Sequence, residues 1–446
     1  MKKIIILLIT TLFPLNAQSK ILFEYIKTGL DNNLVLKQKN IAIEKASASL
    51  KEARSLFFPV VNFQSDYNIA DGGRKIDIPV GDMLNPVYST LNQLTQSKSF
   101  PSIQNQSTQL LPDDYHDTRI ELKMPIFNTD IWYNNKIKEE AINLKNAEKD
   151  TYKRELVKEI RTAYYNYLKS VRAIEIYKNA GHLLNDNYTL TESLIKNNMA
   201  LKSSLLKLSA EISKNEAALT ESVNNSKNAA SYFNFLLNKP LDSEISADTS
   251  LLNSNETSFL STEYSASGRE ELTQIISGIA QTEYLKSMNN GEYIPTIGAF
   301  LAAGYQGTKF KFDSDQRYYI FGLQVKWNLF NGFGSSAKKE QTEYEISALN
   351  LKLEETEKQL NLQISAAVQN LNTSLAKVKS AKLNLEYSQE YYRQMRLRYM
   401  AGQALLIELT DALNQHINNQ IIYQIASAEV LIKQAELERA AAKENF

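Results

Sequence analysis

The feature that most restricts the fold is a missing punctuation mark: between Ser336 and Met400 the chain contains neither proline nor glycine. A backbone with no breaker over that distance is free to run as one helix, which at ~1.5 Å per residue extends roughly 100 Å. Its apolar residues recur in heptads, with Ile364, Val368, Leu371, Leu375 and Val378 stepping by 4, 3, 4 and 3. Residues 131 to 198, interrupted only by Gly181, repeat the pattern: Val157, Ile160, Tyr164, Tyr167, Val171 and Ile174 step by 3, 4, 3, 4 and 3. Such seams predict helices packed at shallow angles as coiled coils. Helices of this length suit a column and not a compact globule.

A second period lies between the helices. Val61, Phe63, Ser65, Tyr67 and Ile69 alternate with Asn62, Gln64, Asp66 and Asn68, as a strand with one apolar and one wet face does. Arg119, Glu121 and Lys123 alternate with Ile120, Leu122 and Met124, and Tyr319, Phe321, Leu323, Val325 and Trp327 with Gly322, Gln324, Lys326 and Asn328. Thr296 to Gln306 reads as a weaker, Ala/Gly-rich strand. Runs of about nine to eleven residues with this alternation are the pattern of outer-membrane barrels, and also of hairpins packed on a soluble core.

The two periods occur twice. Ile120–Asn128 matches Leu323–Asn331 in polarity at an offset of 203, Ile160–Asn166 matches Ile364–Asn370 at 204, and Met199-Ala200 matches Met400-Ala401 at 201. Phe58-Pro59 and Ile294-Pro295 correspond at 236, so the first copy carries extra residues, which fall in the Asn-, Gln-, Ser- and Pro-rich stretch from Gly81 to Asp117. Each copy therefore reads as helix, strand pair, long helix, turn, long helix. The organisation expected is a signal peptide over 1–17, with Lys2-Lys3 before the apolar Ile4–Phe13 and cleavage after Ala17. A first repeat follows over 18–240, with strands at about 60–70 and 118–127 and helices at about 131–198 and 202–237. A linker spans 241–267. The second repeat covers 268–446, with strands at about 296–306 and 318–328 and helices at about 335–400 and 404–444.

Composition removes several chemistries. With no cysteine the chain has no disulfide, thiolate metal site or lipidated cysteine, and His116, His182 and His416 lack metal-ligand spacing. Fifty Lys+Arg balance fifty Asp+Glu, unlike the basic excess of a nucleic-acid binder. Neither a phosphate-binding Gly-rich loop nor a nucleophile elbow is present, so neither enzyme, cofactor nor metal is expected. The alternation over strands accounts for Asp66, Arg119, Glu121, Lys123, Gln324 and Lys326 as residues lining a barrel interior. Four strands cannot close a barrel in lipid. Three copies would supply twelve and two would supply eight, so closure demands assembly.

Several blocks resemble the TolC-like outer-membrane efflux protein family: Phe58-Pro59 and Ile294-Pro295 at helix-to-strand junctions, and Trp327-Asn328-Leu329-Phe330-Asn331-Gly332-Phe333-Gly334 where strand returns to helix. Arg398-Tyr399-Met400-Ala401-Gly402 followed by Glu408-Leu409-Thr410-Asp411-Ala412 resembles the family's second hairpin turn, and Ser267-Gly268-Arg269-Glu270-Glu271-Leu272 its repeat opening, with Glu270 where proline is usual. The resemblance covers the whole mature chain. It implies a mainly α fold with membrane β, in which two coiled-coil helical hairpins and four strands per chain complete a trimeric twelve-stranded β-barrel and a periplasmic α-barrel. It further implies an outer-membrane exit duct of a tripartite efflux or type I secretion system, working with a periplasmic adaptor and an inner-membrane pump. A periplasmic or surface coiled-coil protein without a channel is the alternative.

By that resemblance Glu408, Asp411 and Tyr399 belong to a periplasmic gate. Glu408 and Asp411, three apart, share a helix face and would form carboxylate rings in a trimer, while Lys207 and Ala210 stand at the corresponding places of the first copy. Ala404 occupies the family's basic gate-partner position. Met199, Ala200, Leu201, Arg398, Met400, Ala401 and Gly402 form the hairpin tips that would meet the adaptor. Pro59, Pro295 and Gly332 mark the barrel–helix junctions, and the 81–117 insertion is expected at the extracellular end.

Overall fold

The computed structural model describes residues 20–110, 112–253 and 264–443. The expected signal peptide lies outside them. In chain order the regular elements are α1 (Lys20–Asn32), α2 (Leu34–Ser55), β1 (Val60–Ile69), β2 (Lys75–Ile78), α3 (Val80–Thr95), β3 (Gln106–Gln109) and β4 (Asp114–Phe127). They continue as α4 (Thr129–Lys196), α5 (Ser203–Leu236), α6 (Glu270–Gly291), β5 (Thr296–Gly307), β6 (Arg317–Lys326), α7 (Gly334–Met400) and α8 (Leu406–Ala440). The unpunctuated runs are thus single helices of 68 and 67 residues. None of the described helices is long and apolar enough to cross a membrane.

The chain divides into two compact units, and α2, α4, α6 and α7 each contribute to both. One unit, built from residues up to Ser47, Glu140–Gln281 and from Glu345 onward, is helical. Its heptad stripes are buried. Val157, Ile160, Tyr164 and Leu168 of α4 pack with Phe233 and Leu237 beside α1 residues Leu22 and Ile26, and Leu360, Ile364, Leu371 and Val378 of α7 pack with Val430 and Leu437 of α8. Tyr164 is fully buried, and its hydroxyl donates to the Ser246 carbonyl at 2.9 Å while accepting from the Asp248 N–H at 3.0 Å. Burial pushes this phenol up to about 12. One tyrosine thereby clamps the linker, whose backbone otherwise lacks a ladder to join.

Where α6 begins, Arg269 is buried to 2% exposure. It donates to the Ala440 carbonyl at the end of α8 (2.8 Å) and pairs with Glu271 through two nitrogens. Arg439 reaches Glu155 at 2.9 Å and Glu271 at 3.5 Å, and Arg154 reaches Glu270 at 2.7 Å. This network ties α4, α6 and α8 together, and it gives Glu270 a role at the position where the family pattern carries proline. Burial pushes the Glu271 carboxyl up, but the Arg269 hydrogen bonds, its own amide and the charges of Arg269 and Arg439 outweigh burial and leave it below the ordinary glutamate value.

The other unit comprises Ala48–Glu139 and Thr282–Tyr344. It holds one four-stranded antiparallel sheet in the order β1-β4-β5-β6 and a two-stranded ribbon of β2 and β3. β4 begins at Asp114, four residues earlier than expected, because the insertion is zipped at its base: the Ala70 N–H donates to the Asp113 carbonyl at 2.8 Å. β6 ends at Lys326, two residues early. Trp327 leaves the ladder, and its indole donates to the Tyr293 carbonyl at 3.1 Å.

Arg269→Met leaves half-buried Glu271 without its main partner and should cost on the order of 2 kcal/mol, read as a lower denaturant midpoint for loss of helix. Replacing both Arg269 and Glu271 by apolar residues should recover part of the loss. A depressed carboxylate stabilises the fold above its unfolded-state pKa and ceases to do so as pH falls through the folded value. Acid should therefore destabilise the wild type more than Glu271→Gln, and parallel acid profiles would remove the network from this account.

Candidate functional site

Register decides which side chains share a face of the sheet. Asp66 lies opposite Asp117, Gln64 opposite Arg119 and Asn62 opposite Glu121. Lys123 lies opposite Phe300, Gly298 opposite Gln324, and Thr296 opposite Lys326. Because side chains alternate strictly, all six expected lining residues (Asp66, Arg119, Glu121, Lys123, Gln324, Lys326) come together on one face. They are partly cross-linked: Arg119 pairs with Asp117 and donates to Gln64 (3.2 Å), Tyr318 donates to Asp117 (2.9 Å), and Lys123 pairs with Glu121 (2.8 Å). The β5–β6 half of this face is less polar. There Phe300 lies over Gly322, where an added Cβ would fall 2.6 Å from the ring.

The opposite face is large and mostly apolar and exposed, apart from Ser65 and Thr118, which bond each other at 2.8 Å, and His116, which is buried against Phe310 and Phe312. Phe63 is 71% exposed and Tyr319 81%, with Val61, Phe321, Leu323 and Val325 beside them also exposed. Both edges of the sheet, β1 and β6, lack a strand partner among the described residues, and they run in opposite directions. A β6 edge is therefore oriented to pair antiparallel with the β1 edge of another copy.

The three expected junction residues sit at the same end of the sheet. Pro59 immediately precedes β1, Pro295 precedes β5, and Gly332 (φ +66°) with Phe333 (φ +67°) turns the chain from β6 toward α7. A phenylalanine in left-handed backbone costs roughly 1 kcal/mol. Around this end lie Phe57, Phe58, Trp132, Tyr293, Phe330 and Phe333, all exposed, with a cavity of about 280 Å³ lined by Phe57, Pro125, Phe127, Trp132 and Tyr133. Sequence reasoning did not assemble this aromatic band, because its members come from separate segments. The available signal was that each flanks a junction, as aromatic girdles flank membrane strands.

The hairpin tips are built alike. Asn198 (φ +60°) and Gly402 (φ +70°) each end a long helix in left-handed backbone. In both, the next N–H reaches back five residues: Met199 to the Leu194 carbonyl and Gln403 to that of Arg398, both at 2.8 Å. This is the Schellman closure of a helix. The two residues are 204 apart, the offset of the helical match, so Met199-Ala200 and Met400-Ala401 are not structural equivalents. Met400 is the last residue of α7, whereas Met199 follows the turn residue. Met199, Leu201, Arg398, Met400, Ala401 and Gly402 are exposed and Ala200 is half-buried. A Cβ on Gly402 would fall 3.1 Å from Met199 Cε, so the two tips touch.

Tyr399 is only 4% exposed, and its hydroxyl meets Thr191 Oγ1 of α4 at 2.9 Å. It packs with Leu194, Met395, Leu409 and Leu413. Fully buried Asn187 donates to Tyr392 at 3.4 Å, and His416 stacks on Tyr392 with ring centroids 6.1 Å apart. Burial lowers the His416 pKa. Glu211 of α5 accepts from Lys207 (2.6 Å) and from Asn414 of α8 (3.2 Å), and the Lys207 hydrogen bond chiefly holds this carboxyl below its ordinary value. The helices near the tips are thus joined through polar side chains, a set the sequence reading missed apart from Tyr399. Polar residues breaking an apolar heptad were the signal.

Glu408 and Asp411 are exposed on the first turns of α8. Glu408 accepts the Leu405 N–H at 2.7 Å, the reach-back half of a capping box, and so stabilises its own helix start. Leucine at the N-cap, in place of serine or threonine, hid this role in the sequence.

Residues 279–443 match the model of the family described as outer membrane efflux protein. No curated protein sequence matches the chain. Among solved structures, the open state of the MtrE outer membrane channel of Neisseria gonorrhoeae superposes with a TM-score of 0.73 at 12% identity, covering 94% of this chain and 88% of that one. The CmeC outer membrane channel of Campylobacter jejuni gives 0.72 at 12% identity, covering 94% and 85%. The outer membrane protein VceC of Vibrio cholerae gives 0.72 at 14% identity, covering 94% and 95%. The chain has the fold of these proteins over nearly its full length.

The Thr191–Tyr399 bond is a buried polar link between α4 and α7. In a double-mutant cycle, Thr191→Val and Tyr399→Phe should couple by about 1 kcal/mol in unfolding free energy. Additive effects would show that the bond holds nothing together.

Proposed function

We propose that this protein is the outer-membrane exit duct of a tripartite efflux or type I secretion system, a passive channel and not an enzyme. The single observation that carries the reading is the sheet: an exposed apolar face suited to lipid, a charged face suited to a water-filled interior, and two open edges of opposite direction. Lipid does not tolerate open edges. Closure by three copies gives a twelve-stranded barrel with a polar interior, whereas eight strands would leave an interior filled by side chains. The efflux-family match of residues 279–443 supports the same reading.

In such a duct the charged face lines the lumen and the aromatic band around Trp132 and Phe58 lies at the periplasmic membrane surface. The exposed tips at Met199, Leu201, Met400 and Gly402 are offered to a periplasmic adaptor and, through it, to an inner-membrane pump. The insertion between β1 and β4, at the strand ends remote from α2 and α4, faces the exterior. Tyr399 secures the helices at the inner mouth. Asp411, with Glu408, presents a carboxylate ring to the axis that favours cations.

Purified mature protein should have the detergent-corrected mass of a trimer and give long-lived, cation-preferring openings in planar bilayers. A soluble monomer without conductance would overturn the duct. Asp411→Asn should raise the divalent-ion concentration that halves the current roughly tenfold, corresponding to ~1.4 kcal/mol of lost attraction. It tests the ring more cleanly than a change at Glu408, which also caps a helix. Unchanged block would remove the ring.

A further inference from the structure

The insertion between β1 and β4 is folded inside out. On one side of α3, Asp82, Asn85 and Asn92 clip the returning chain. Asn85 accepts the Ile103 N–H (2.8 Å) and donates to its carbonyl (2.9 Å), and Asn92 does the same with Phe100 (3.0 and 2.8 Å). Asp82 exchanges bonds of 3.1 and 2.9 Å with Asn105. Buried Gly81 lets the segments approach, since a Cβ there would lie 2.4 Å from the Ile103 carbonyl oxygen. At ~100° per residue the far side of the helix carries Met83, Val87 and Leu94. These apolar side chains are 69%, 51% and 77% exposed. A helix that spends its amides inward and leaves its aliphatic stripe outward is shaped to be covered.

We infer that what covers the stripe is the same stripe of neighbouring copies, so that in the assembled duct the α3 helices pack together through Met83, Val87 and Leu94. The inference rests on the trimeric reading above. Two observations favour a second copy over lipid or another protein. The insertion begins at Ala70, directly after edge strand β1, so it is continuous with the edge at which a neighbouring β6 must dock. Between Pro79 and Pro112 the only charged residues are Asp82 and Lys98. That composition offers no cationic cluster to phosphate-bearing glycolipid and no charge match to a distinct partner. Identical apolar stripes around a symmetry axis need neither.

The chain has no cysteine, so single substitutions report unambiguously. Val87→Cys and, as a control at an exposed serine on the side of α3 opposite the stripe, Ser89→Cys would be made in the full-length chain, treated in intact cells with a short bis-maleimide, and the oligomer mass measured in detergent. Neighbours held at mM effective concentration should give roughly tenfold more linked dimer from Val87→Cys than from Ser89→Cys. A trimer of the Val87→Cys variant whose introduced thiols are not linked, whether open to label or shielded by lipid, overturns this inference and leaves the duct standing. Absence of a trimer overturns both.

Discussion

The structure turns on the two unpaired edges of a four-stranded sheet. Among the described residues, each edge strand presents a row of amide and carbonyl groups without a strand partner, and one face of the sheet is predominantly apolar. In water such a sheet would aggregate, and in lipid its edges would carry several kcal/mol per unsatisfied group. Another copy of the sheet fits these edges, because their opposite directions let a copy continue the antiparallel order. The polar face then encloses water without any change in a single protomer. In the proposed duct assembly is therefore a consequence of hydrogen bonding, and the lumen a consequence of assembly.

The helical hairpins solve a different problem at their two ends. Beside α1, large apolar groups pack densely around Tyr164 and Phe233, and the ionic network of Arg269 fixes where α4, α6 and α8 meet. Near the tips, Asn187, Thr191, Glu211 and His416 occupy buried positions that leucine fills elsewhere. Exchanging apolar contacts for single hydrogen bonds of ~1 kcal/mol lowers cohesion but keeps register, since each bond has one partner. In the proposed duct such links would suit a mouth that holds and then opens, because helices joined by few discrete bonds separate at lower cost than helices joined by continuous apolar packing.

Periodic features were legible in the sequence and local chemistry was not. Heptads at Val157–Ile174 and Ile364–Val378 and the alternation at Val61–Ile69 announced elements whose existence depends on which face is buried, which is a property of spacing. Helix α3 was missed although Val80, Met83, Leu84, Val87, Leu91 and Leu94 follow a helical spacing, because Pro86 and the Asn-, Gln- and Ser-rich residues around it read as loop, and its support comes from Asn85 and Asn92 bonding a segment that closes only in three dimensions. Glu408 illustrates the opposite loss. Its position pointed toward the axis of an assembly, while its nearest partner is the amide three residues before it. The offset of 201 misled for a related reason: a Met-Ala pair repeats by chance, whereas Asn198 and Gly402 repeat because a helix end needs left-handed backbone.

The insertion and the tips form a further contrast. At the tips the first repeat uses Asn198 where the second uses Gly402, two residues able to adopt one conformation, so the repeats differ in sequence and agree in shape. At the other end of the strands only the first repeat carries an insertion, while β5 and β6 are joined by a short loop over 308–316. An asymmetric addition on a repeated frame is under no packing demand from the frame itself, whose strands already pair as β1–β4, β4–β5 and β5–β6. Its exposed aliphatic stripe is therefore not a residue of folding the protomer. It answers to whatever adjoins edge β1, the same edge that makes a lone protomer incomplete.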